Sequence, residues 1–144
     1  MASLAVSAVR ARVAAGVAAL SGWTESGWAH GLFARDTSHL LHHTFAVGVE
    51  DTTTHPGDGR QRPAEGALVI TTVSVQWAHR LRQDAQVGDY DLALDAEQAV
   101  IAAVLGISRE NLHIKYQDSR RQTDGEGWVI GTLRFESIHR LALQ

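Results

Sequence analysis

At 144 residues, with 44% hydrophobic and 20% charged side chains, the chain has the size and composition of one folded domain spanning 1–144, and intrinsic disorder is excluded. Cysteine is absent, which removes disulfides, thiolate metal sites, iron–sulfur clusters and cysteine nucleophiles together. The net charge of -3 offers no general attraction to nucleic acid or anionic lipid, and no apolar run approaches the ~20 residues of a membrane span, so a soluble protein with no membrane partner is expected.

Val6, Val9, Val13, Val17 and Leu20 recur at steps of three and four, an amphipathic stripe that predicts a first helix with Ser3 as N-cap and Gly22 as its stop. Arg10 and Arg12 interrupt the apolar run, so the segment reads as a mature helix and not as a secretion signal. A Gly/Ser-rich connector follows, pinned by Trp23, Trp28 and Phe33. Phe45, Val47 and Val49 then alternate as in a strand, and the stretch from Asp51 to Gly66, which holds both prolines, reads as a long loop. Val69, Thr71, Val73, Val75 and Trp77 mark the clearest strand. A second helix is predicted from Asp89 as N-cap, with Tyr90, Leu94, Ile101 and Leu105 at helical spacing and Gly106 as the stop. Leu112, Ile114 and Tyr116, a TDGEG turn, and Val129, Leu133 and Phe135 make a closing hairpin. The expected fold is α+β in the order α-β-β-α-β-β: an antiparallel sheet of about four strands, two helices on one face, and a long loop in the first hairpin.

The residues compose no catalytic constellation. His39 and His43 would share a helical face with metal-ligand spacing, but the segment runs into the Phe45 strand, where His42 and His43 are expected on opposite faces, and no H-E-x-x-H is present. Asp91, Asp95 and Glu97 are expected on the outer, solvated side of the second helix, where carboxylates do no acid/base work. The chain has neither G-x-S-x-G nor a GK[ST] phosphate loop. Arg60 and Arg62 in the loop, with Arg120 and Arg121 in the second hairpin, read as small basic spots on turns. Trp77 is expected in the core; Trp23 and Trp28 are candidate anchors for a partner. No catalytic, cofactor or metal residues are expected.

Five segments carry a resemblance: the Ala/Val-rich opening helix; HTFAVGVED with its Pro/Gly/Arg loop; ALVITTVSVQWAHRL; LALDAEQAVIAAVLG; and WVIGTLRFESIHRLAL. Over nearly its whole length the chain resembles the tail-terminator proteins of long-tailed bacteriophages and phage-like particles, which are minor tail or tail-completion proteins. The resemblance implies a non-enzymatic virion protein, assembled in the bacterial host cytoplasm into a homohexameric ring. That ring would sit at the head-proximal end of the tail tube, stop tube polymerisation and dock the head-tail connector, with genome DNA passing its lumen without specific binding. The long loop with His55, Arg60 and Arg62 is then the candidate tube contact. Two alternatives stand beside this reading. One is another connector, stopper or tube subunit; the other is a small metal-binding enzyme or ligand-binding module using His39, His42 and His43.

Overall fold

The computed structural model describes residues 2–26, 40–58, 64–124 and 126–143. In chain order the elements are β1 (Ser3–Leu4), α1 (Val6–Ala18), β2 (Thr24–Glu25), β3 (Thr44–Thr54), β4 (Leu68–Arg80), α2 (Gln86–Leu105), β5 (His113–Thr123) and β6 (Trp128–Leu141). β6 lies between β4 and β5, antiparallel to both, and β3 pairs antiparallel with the far side of β4. The two-residue strands β1 and β2 add parallel pairs, β1 to the end of β6 and β2 to the start of β3.

This topology corrects the expected α+β fold with its four-stranded antiparallel sheet and α-β-β-α-β-β order: among the described residues the fold is mostly β, with six strands in a mixed, curled sheet and two helices. Two-residue strands have no period to detect, which is why β1 and β2 escape a reading of alternation. They also explain the path of α1. Its 13 residues span about 20 Å, enough to cross from the β6 side of the sheet to the β3 side, since neighbouring strands are only about 4.8 Å apart.

Alternation along the long strands places Val73, Val75 and Trp77 of β4, Phe45 and Val47 of β3, and Leu133 and Phe135 of β6 on one face. All are fully buried, and they form one core with Val9, Val13 and Val17 of α1 and Ala93, Val100 and Val104 of α2. The Trp77 indole packs against its cross-strand partner Gly131, where an added Cβ would stand 2.2 Å from the ring. The position therefore admits no side chain. The opposite sheet face carries a small apolar cluster, Leu40, Ala46, Ala78, Trp128 and Ile130, beside polar residues such as Thr132 and Arg134.

Several local expectations change as well. α1 starts after Ala5 with no side-chain cap, because Ser3 is taken up in β1, and it ends before Ala19; Gly22, at φ 84°, belongs to the following turn. β3 runs on through Asp51–Thr54, which had read as loop: a bulge between Val49 and Asp51 resets the register, and the β-branched threonines suit the ladder. α2 begins at Gln86, one turn before the expected N-cap Asp89. Its buried stripe is Asp89, Ala93, Glu97, Val100 and Val104, leaving Tyr90 and Leu105 at the surface. No described helix is long and apolar enough to cross a membrane.

Candidate functional site

Two features stand out among the described residues: a cluster of imidazoles where β3 begins and β4 ends, and the outer edge of β5. The cluster has a local cause. His43 has φ 59°, a left-handed conformation that non-glycine residues adopt only when held, and this breaks the strand alternation just before Thr44. His42 and His43 therefore do not point to opposite faces. Their rings stack with centroids 3.8 Å apart, and Trp23 lies flat on the other side of His43 at 4.3 Å and 1°. The hairpin register brings His79 alongside, with His43 Nε2 3.0 Å from His79 Nδ1. One ring nitrogen from each of His42, His43 and His79 lies within 4.8 Å of the others.

His79 is almost fully buried, His43 half-buried and His42 exposed. Burial, reinforced by the neighbouring imidazoles, pushes His43 and His79 down to about 4, so both rings are neutral near pH 7. Burial lowers His42 too, opposed by the nearby Asp89 carboxylate. The His42 Nδ1 accepts the Arg80 backbone N–H at 3.0 Å. A cleft of about 530 Å³ opens beside the cluster, lined by His42, His79, Arg80, Arg82, Asp89 and Leu92. Asp89 is held well down, to about 2, by Arg82, whose Nε and Nη2 donate to its two oxygens while the Arg82 backbone N–H donates at 2.7 Å.

The β5 edge is of a different kind. β5 pairs with β6 on one side, and among the described residues no strand pairs with its other side. Its eleven residues are mostly exposed, including Tyr116 at 42%. Arg121, expected on a solvated turn, instead sits within this strand and reaches α2: its Nε donates to both Glu97 carboxylate oxygens at 3.0 Å. Glu97 is only 1% exposed, so the expected outer placement of this carboxylate is overturned. Tyr90 of α2 and Tyr116 of β5 lie in the neighbourhood of Arg121.

The remaining sequence candidates are scattered. Trp23 is a packed support for His43 and not a free anchor, being 8% exposed. Trp28, His39, Arg60 and Arg62 lie outside the described residues. His55 closes a turn, its Nδ1 accepting the Gly57 N–H at 2.9 Å. Arg120 lines a cleft of about 490 Å³ on the sheet face opposite α1 and α2, with Glu50, Gln122, Ile130, Thr132 and Arg134. His79 was missed in the sequence because it lies 36 residues from His43 and only the hairpin register unites them; its parity with Trp77 was the available signal. No protein-family model matches this chain, and no curated protein matches it.

Proposed function

We propose that this chain is a structural subunit that assembles with copies of itself into a ring, acting as the terminator at the head-proximal end of a phage tail tube. The observation that carries the reading is the β5 edge, an eleven-residue strand about 37 Å long that, among the described residues, is paired on one side. Exposed strand edges template pairing with another chain, and tyrosine and arginine are the residue types enriched at protein contacts. Lys115 and the bulge at Tyr116–Asp118 discourage indiscriminate edge pairing, which suits an edge kept for one defined neighbour. The sheet ends differently at β5 and at β3 with its short β2, so a contact between unlike surfaces closes into a ring when its rotation permits.

In this role the protein is not an enzyme: it halts tube growth, docks the connector and resides in the virion. Six subunits would carry roughly -18, six times the chain's -3, which favours passage of DNA without binding. The test is assembly. Purified protein, alone or mixed with tube protein, should give annular particles of about six subunits by native mass measurement and electron microscopy, and should cap tubes at finished length. Tubes that lengthen on adding the protein would identify a tube subunit instead. A monomer that ignores both tube and connector proteins would defeat the ring reading. The pair Tyr90→Glu and Tyr116→Glu should abolish the ring; because Tyr116 also packs edge-on against Phe135 and bonds Ser119, a monomer cost of about 1 kcal/mol is expected, and the variant is read only where it remains folded.

A further inference from the structure

We propose that His42, His43 and His79 form a binding site for one zinc-class divalent metal ion, with a fourth position open to the cleft beside Asp89. Three atoms within 4.8 Å of one another all lie within about 2.8 Å of a common point, and zinc–imidazole bonds are roughly 2.0–2.1 Å. The nitrogens need to close by less than about 1 Å, and because imidazole lone pairs lie in the ring planes, His42 must also turn out of its 3.8 Å stack on His43 to aim an edge at the ion. His43 Nε2 and His79 Nδ1, at 3.0 Å, already stand near the roughly 3.3 Å edge of a zinc-centred tetrahedron.

The scaffold holds two of these rings in advance. His79 is fixed in a strand paired on both sides, and His43 is fixed by its left-handed backbone and by the flat indole of Trp23. His42 is the exposed arm, free to leave its stack on His43 and present a ring nitrogen to the ion. An all-nitrogen donor set suits zinc and its first-row neighbours and disfavours calcium and magnesium, which take oxygen ligands. Asp89 contributes little attraction, because Arg82 already neutralises it; the selectivity lies in the imidazoles. Three histidines with an open fourth position leave room for water or a small ligand from the 530 Å³ cleft.

The test uses the full chain, stripped with chelator, dialysed against Zn²⁺ and examined by elemental analysis and calorimetric titration, with Co²⁺ as a spectroscopic probe. One Zn²⁺ per chain and an intense tetrahedral Co²⁺ spectrum are expected. His42→Ala and His79→Ala should each weaken Zn²⁺ binding at least tenfold, while His55→Ala and His113→Ala leave it unchanged. Should His79→Ala fail to fold, the exposed His42→Ala decides. Substoichiometric zinc, an octahedral Co²⁺ spectrum, or unchanged affinity in His42→Ala overturns the site.

Discussion

His139 is fully buried, and its bonds fix its protonation. Nδ1 lies 3.2 Å from the Arg140 carbonyl, which can only accept, so Nδ1 carries the hydrogen and Nε2 accepts from Thr71 Oγ1 at 2.8 Å. Thr52 Oγ1 then donates to Thr71 at 3.1 Å. Burial lowers the His139 pKa below 6.5. The unfolded chain therefore takes up this proton near pH 6.5 while the folded chain still refuses it, so its effect on stability is absent above that pH and grows unfavourable as pH falls toward the folded value. Urea midpoints should be lower at pH 5 than at pH 7.5, and His139→Gln should narrow the difference; an equal pH slope in the variant would show that this ring does not contribute. A second residue-scale prediction concerns Glu97, whose buried carboxylate meets Arg121. Arg121→Ala leaves it unpaired and should cost about 2–3 kcal/mol in urea unfolding, somewhat below the usual loss for a broken buried pair because the arginine is 40% exposed. A loss under about 0.5 kcal/mol would mean water reaches Glu97 freely.

At the scale of elements, Gly131 is the most constrained position in β6. Gly131→Ala forces its Cβ into the buried Trp77 ring, which has strands on both sides and helices above, so the cost should reach about 3 kcal/mol, at the upper end of overpacking. Near-wild-type unfolding with Trp77 fluorescence unchanged would contradict that packing. The same elements show what could be read beforehand. Val9, Val13 and Val17 in α1, Val73, Val75 and Trp77 in β4, and Leu133 and Phe135 in β6 have the burial that their spacing implied, because apolar periodicity is a local signal. The inward face of α2 was misread for a reason equally physical. Asp89 and Glu97 are buried with Arg82 and Arg121 meeting their charges, and Arg121 comes from a strand 24 residues away. The imidazole cluster was hidden in the same way: His43 and His79 meet through the register of a hairpin, and the φ that turns His43 toward His42 has no pattern in sequence.

For the whole molecule, the question is whether the sheet is complete in one chain. In β5 the groups facing β6 are bonded, whereas those facing outward have no strand partner among the described residues. Amide hydrogens of the first kind should exchange slowly at every concentration, since their opening requires the ladder to break; those of the second kind should exchange quickly in a lone subunit. Ring formation through this edge converts the fast set into interstrand bonds. Hydrogen exchange on dilute and assembled protein should therefore show new protection concentrated in residues 113–123, with β4 unchanged because it already has neighbours on both sides. The Tyr90→Glu and Tyr116→Glu protein should keep the dilute pattern even when concentrated. Assembly that leaves β5 exchanging as before, and protects α1 or β3 instead, would mean that rings form through another surface and that the open strand is held for the tube or the connector.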